Sequence, residues 1–167
     1  MLKYLPFVLM ILLLSGCAGE LTRIPDSEKT IQASSDIKGK NQLQLFGATK
    51  DWMEENFTSE KGPIAFEDIQ EGTVIGNGQL DYPCSWLSCL TKSNWKVLFS
   101  MKVTAQPGLI NTSFRDLQLA SPPASGGADF SHGMVAPVWS RRDMDAIRPL
   151  LLKLHRDLTV FLQHSPR

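Results

Sequence analysis

From Asn94 to Ala105 the chain alternates with a period of two. Trp95, Val97, Phe99, Met101, Val103 and Ala105 fall on one side, and Lys96, Ser100, Lys102 and Thr104 on the other. Sustained over twelve residues, that pattern fits a β-strand in a sheet with one buried and one wet face. The apolar side then needs a second layer to cover it. The flanking segments supply neighbours. Residues 109–119 (LINTSFRDLQL) read as the next strand, after a Pro107-Gly108 turn. Residues 64–70 and 73–81 read as a hairpin around Glu71-Gly72, and 29–35 as a weak first strand. Gly76 and Gly78, two apart on one face, predict a bulge or a helix lying close across the sheet.

The covering layer is predicted from two helices. Residues 39–57 place Leu45, Thr49, Trp52 and Met53 on one face, with Phe57 a turn further on, and start at Gly39 or Asn41. Gly47 within that helix suggests close packing at its position. Residues 140–163 carry an apolar stripe of Ile147, Leu150, Leu151, Leu154, Leu158, Phe161 and Leu162. Ser140 and Asp143 have the spacing of a cap. Pro149 either lies in the first turn of this helix or kinks it. His155 and His164 are placed on or past its exposed side. Between the last strand and this helix, 120–138 is rich in Gly and Pro and reads as a long irregular loop. The expected architecture is α+β: an antiparallel sheet of about five strands with two helices on one face, in the order β-α-β-β-β-β-α. Residues 29–163 form one domain, and 167 residues leave no room for a second.

The N-terminus predicts an address. Lys3 precedes an eleven-residue apolar run, Tyr4 to Leu14, too short to cross a bilayer as a helix and suited to a secretory signal. It ends in Leu14-Ser15-Gly16-Cys17, which resembles the bacterial lipobox. There the signal is cut just before a cysteine whose thiol carries a diacylglycerol. Residues 1–16 are then a lipoprotein signal peptide and 17–28 a lipidated tether broken by Pro25. Ala18 after the cysteine favours the outer membrane, facing the periplasm. More than one acyl chain suffices for stable anchoring.

Two further pieces carry a family resemblance. One is the helix end Trp52-Met53-Glu54-Glu55-Asn56-Phe57. The other is the hairpin Ile64 to Gly78, an apolar strand, an acidic turn and a strand closing on Gly-x-Gly. Together they make Ile31 to Leu119 similar to a family known as domain of unknown function 4468, with a fold like the TATA-box-binding protein. The segment Tyr82–Ser93 and the tail after Ser121 depart from that pattern. The resemblance implies a fold and no activity, and such a fold does not imply DNA binding.

Residues that could carry chemistry are few. Lys+Arg and Asp+Glu are 17 each, which argues against nucleic acid, whose binding needs a basic face. Cys84 and Cys89, with four residues between them and no nearby His, read as a structural disulfide rather than a redox pair or half a zinc site. Asp129, Ser131 and His132 have the types of a hydrolase triad but share one loop and lack a nucleophile elbow. Gly76-Asn77-Gly78 precedes no helix, as a phosphate loop would. Glu67, Asp68 and Glu71 read as a solvated turn. Arg141-Arg142 opposes the helix dipole and either pairs with Asp143 or Asp145 or faces lipid headgroups. The expectation is a non-catalytic protein with no cofactor and no metal. Trp86, Phe130, His132 and Trp139 are its candidate binding residues, and an envelope protein is its partner. The alternative is a carrier of a small apolar ligand, with the last helix closing a pocket among Trp95, Phe99, Met101 and Leu151.

Overall fold

A computed structural model describes residues 24–58, 62–122 and 133–165, at 86–88 the backbone only. The elements are β1 (Ile31–Asp36), α1 (Gln42–Asn56), β2 (Ile64–Asp68), β3 (Thr73–Asp81), α2 (Trp86–Lys92), β4 (Lys96–Gln106), β5 (Leu109–Ala120), β6 (Val135–Pro137) and α3 (Arg141–His164), after a short 3-10 turn at Asp26–Glu28. They form a six-stranded sheet in the order β1-β5-β4-β3-β2, with β6 also beside β5. Every pairing is antiparallel. The α+β class is as expected. Two elements were not: α2 within 82–93, and β6 inside the predicted loop 120–138. Neither is long enough for periodicity to mark it. β6 exists because Leu119 and Ala120 have a free edge for Ala136 and Val135 to pair with.

The two long helices, α1 and α3, begin where their capping chemistry says they should. Asn41 accepts from the Gln44 amide at 2.9 Å, and the Gln44 side chain returns the bond to the Asn41 amide at 2.9 Å. This is a full capping box. Ser140 caps α3 by accepting from Asp143 N at 3.1 Å. At the far end of α3, the buried Lys40 ammonium donates to the Ser165 carbonyl at 2.7 Å and also to its hydroxyl. A cation there complements the negative end of the helix dipole. Pro149 lies in the interior of α3, not in its first turn. It and Asp145, the residue four back whose carbonyl loses a partner, are both exposed, so water can satisfy the freed group.

α1 and α3 cover one face of the sheet. Leu45, Phe46, Trp52, Met53 and Phe57 from α1 and its end meet Ile147, Leu151, Leu158 and Leu162 from α3 over Val97, Phe99, Met101, Val103, Ile110 and Phe114. The two strand glycines permit this approach. A Cβ at Gly76 would sit 2.8 Å from Met53 Sδ and 2.9 Å from the Phe57 ring, and one at Gly78 2.5 Å from the Phe99 ring. Gly47, by contrast, has nothing within 4 Å of a Cβ position. The close packing expected there is absent, because α1 turns its other side to the sheet.

Candidate binding face

The other face of the sheet carries no helix among the described residues. Alternation along each strand puts its polar set there, and the register lines these up in transverse rows. Thr73, Thr104, Asn111 and Ser34 form one row, and Ile75, Lys102, Ser113 and Gln32 the next. Asn77, Ser100 and Arg115 form a third, and Gln79, Leu98 and Gln118 a fourth. Some polar groups bond to one another: Ser34 Oγ donates to Asn111 Oδ1 at 2.6 Å, and Ser100 Oγ to Asn77 Oδ1 at 2.8 Å.

Between the third and fourth rows the register slips. Leu98 pairs Gln118 and Ser100 pairs Arg115, so Phe99 faces both Asp116 and Leu117. This is a β-bulge, and its first residue, Asp116, has φ of 53°. Aspartate tolerates the left-handed region better than most residues. The bulge keeps Leu117 and Leu119 on the helix side while bending the strand. Next to it a cleft of ≈ 650 Å³ opens, lined by Asn77, Gln79, Leu98, Ser100, Asp116 and Gln118, with Thr58 and Val135 at its rim. A second hollow of ≈ 290 Å³ lies over Gln32, Ser34, Lys102, Thr104, Asn111, Ser113 and Arg115.

The charges on this face are unequal in status. Lys96 is paired with Asp81 at 2.5 Å. Lys102 and Arg115 make no hydrogen bond or ion pair among the described residues.

Polar groups elsewhere have structural partners. At the N-terminus of α3, the Asp143 carboxylate is buried. It accepts from Tyr82 Oη at 2.5 Å, Lys92 Nζ at 2.6 Å and Ser140 Oγ at 2.9 Å. Lys92 also lies over the Tyr82 and Trp95 rings, at 4.8 Å and 5.3 Å. Asp143 therefore pairs with Lys92 from α2, not with an arginine. Arg141 instead reaches Glu28 at 2.9 Å. The Cys84–Cys89 disulfide is formed, with Cα atoms 4.8 Å apart, and bridges the entry to α2. Glu67 pairs with Lys50 at 2.7 Å, and Asp68 accepts from the Gln70 and Glu71 amides. No group of potential metal ligands occurs among the described residues.

His155 is buried, not on the exposed side of α3. It falls on the apolar stripe between Leu151 and Leu158, and the sheet gives it two hydroxyls. Its Nδ1 meets Thr112 Oγ1 at 3.0 Å and its Nε2 meets Ser35 Oγ at 2.8 Å. Burial lowers its pKa below the ordinary imidazole value, opposed by the Ser34 backbone and aided by Arg156. A base whose folded pKa is depressed binds its proton more readily in the unfolded chain. Stability is therefore unaffected above the ordinary value of about 6.5 and falls as pH drops below it toward the folded pKa. Melting temperature is expected to decline from pH 7 to pH 5, and His155→Gln to flatten that decline. An equal decline in the variant would show that His155 is not its source.

Of the candidate binding residues named from sequence, only Trp139 has its side chain among the described residues. Cys17, Asp129, Phe130, Ser131 and His132 lie outside the described residues. Trp86 opens α2, where its backbone alone is described. Trp139 is half exposed, and its carbonyl accepts the Ile24 amide at 3.2 Å. The open sheet face was missed. Its signal was the polar half of the period-two pattern, Ser100, Lys102 and Thr104, which reads equally well as a merely solvated face until the register shows neighbouring strands repeating it. Of the proposed carrier pocket, Phe99, Met101 and Leu151 are buried core and Trp95 is packed against it. Met101 and Leu151 line none of the clefts described here.

An antiparallel sheet with helices on one side and an open, bulged face on the other defines a TBP-like α+β domain. The chain belongs to the family described as a domain of unknown function (DUF4468) with TBP-like fold, whose pattern it matches over residues 32–119. It is similar in fold to a DUF4468 family protein from Bacteroides ovatus, at 18% identity over 86% of this chain and 91% of that one, with a TM-score of 0.57. It is similar also to a TBP-like protein from Parabacteroides distasonis, at 11% identity over 86% of this chain and 99% of that one, with a TM-score of 0.62. No curated protein matches it.

Proposed function

We propose that the protein is a lipid-anchored, non-catalytic module of the cell envelope that docks a protein partner on its open sheet face. One observation carries this reading: a bulged sheet surface of aligned hydroxyl and amide rows, holding a ≈ 650 Å³ cleft and two cations with no ion pair among the described residues. Hydroxyls and amides suit peptide hydrogen bonding. The non-catalytic reading is supported by the buried Asp143 and His155 side chains, each held by structural neighbours. The anchor rests on the Gly16-Cys17 step after an apolar leader. Six residues lie between Cys17 and Ile24, a reach of at most about 25 Å when extended, so an anchored domain stays close to its membrane.

Two measurements test it. Intact mass of the processed chain is expected to show a diacylglyceryl group on Cys17 and loss of residues 1–16; an unmodified chain overturns the anchor. A photo-crosslinker placed in cells at Ser100 or Ser113 is expected to capture the same single protein from both positions, and nothing from Val160 on exposed α3. Capture from Val160 alone, or from none of the three, overturns the docking face.

A further inference from the structure

Lys102 and Arg115 lie on one face, on adjacent strands and one row apart. Lys102 is directly opposite Ser113, and Arg115 opposite Ser100, so the two cations are diagonal neighbours. Diagonal positions on an antiparallel pair are about 7–8 Å apart, near enough for long side chains to feel each other's charge. Neither has an anionic partner among the described residues, and Asp116, next in the chain, forms no ion pair with Arg115. The described residues therefore hold a like-charge pair with no ion pair of its own, on a face that also carries Asp36 and Asp116, over a hollow of ≈ 290 Å³ walled by Gln32, Ser34, Thr104 and Asn111. A like pair is a local cost to stability, and an anionic ligand removes it.

We infer that Lys102 and Arg115 form a carboxylate-binding pair, and that the segment docking on this face is an extended acidic stretch of the protein partner. This deepens the docking reading above and rests on it. Spacing decides the class of ligand. Residues i and i+2 of an extended strand point the same way about 6.6–6.8 Å apart, close to the roughly 7–8 Å between diagonal positions from which the two cations project. Acidic side chains at alternate positions then meet one cation each. Arg115 offers a planar fork that fits a carboxylate with two parallel hydrogen bonds, and Lys102 a point charge. The flanking amides and hydroxyls of Gln32, Ser34 and Asn111 face the intervening peptide groups.

The test uses the processed full chain in neutral detergent and a fluorescent, end-blocked heptapeptide alternating Thr and Glu, with its Thr/Gln counterpart as control. Anisotropy is expected to show the Glu peptide binding at least about 10-fold more tightly than the Gln peptide, with the difference shrinking as salt is raised. Lys102→Ala is expected to reduce that preference. Lys102→Glu is expected to abolish it while raising the melting temperature, because the new carboxylate pairs with Arg115. Equal binding of the two peptides, no binding of either, or a preference surviving in Lys102→Glu overturns the inference. A melting temperature lowered by Lys102→Glu overturns its electrostatic basis. If crosslinking at Ser100 and Ser113 succeeds while the Glu preference fails, the docking face stands and the acidic partner falls. If crosslinking fails as well, both fall.

Discussion

Asp143→Ala is expected to lower the unfolding free energy by about 3–5 kcal/mol, the largest effect of any single polar substitution in the described residues. The carboxylate is a junction of three elements. It holds Lys92 at the end of α2, Tyr82 just after β3, and the first turn of α3 through Ser140. Removing it leaves the Lys92 ammonium, only 24% exposed, without its counterion, and the buried Tyr82 hydroxyl without its acceptor. Stranding a buried charge costs more than the pair contributed. Burial alone would raise the Asp143 pKa, but hydrogen bonds from Lys92, Tyr82 and Ser140 outweigh it and hold the carboxyl below its ordinary value. Burial and the same carboxylate push the Tyr82 hydroxyl up, so it remains a donor. A depressed carboxyl pKa means that the unfolded chain takes up the proton first as pH falls. The stabilisation is present above the ordinary carboxyl value of about 3.9 and is lost as pH falls through the folded pKa. Urea unfolding at pH 7 and pH 3 checks both points: the gap between wild type and variant is expected to narrow in acid. A loss below about 1 kcal/mol at pH 7 would contradict the buried-pair account.

Phe99→Ala is expected to cost a similar about 3–5 kcal/mol, by a different mechanism. Phe99 is the middle of a chain of edge-on rings, 5.6 Å from Phe57 and 5.9 Å from Phe114. It joins the end of α1 to the centre of the sheet, directly opposite the bulge. Its removal opens a cavity that neither Gly78 nor the bulged strand can fill. A double-mutant cycle isolates the geometry. Gly78→Ala alone places a methyl 2.5 Å from the Phe99 ring and is expected to cost about 1–3 kcal/mol. In a Phe99→Leu background the same methyl meets a smaller neighbour, so its cost is expected to fall. Additive effects in denaturant unfolding would mean that Gly78 is glycine for some reason other than Phe99.

Much of the helix-facing layer was legible before any coordinates. The alternation of Val97 to Ala105, the stripe from Ile147 to Leu162 and the Trp52–Phe57 helix end are long, and long periodic segments have one solution. The glycine pair at 76 and 78 announced a close helix, and the ring of Phe57 lies there. Short elements were not legible. α2 has seven residues and β6 three, fewer than two turns or two pleats, so no period can establish itself. His155 was misplaced because its polarity was read as exposure. Only the sheet shows that Thr112 and Ser35 wait opposite it. Gly47 was misread in the converse way, as a packing contact where the helix faces open space.

The difference lies in the range over which each feature is specified. Local sequence determined which face of each strand and helix is apolar, where α1 and α3 begin through Asn41 and Ser140, and that Cys84 and Cys89 suit a disulfide. Those follow from side-chain periodicity and from hydrogen bonds spanning three or four residues. Tertiary structure decided which strands lie side by side, where β5 bulges at Asp116, and hence that Lys102 and Arg115 stand as neighbours with no ion pair among the described residues while Asp143 and Lys92 are paired. A charge's partners are set by chain segments tens of residues away, and the alternation of a single strand carries no information about them.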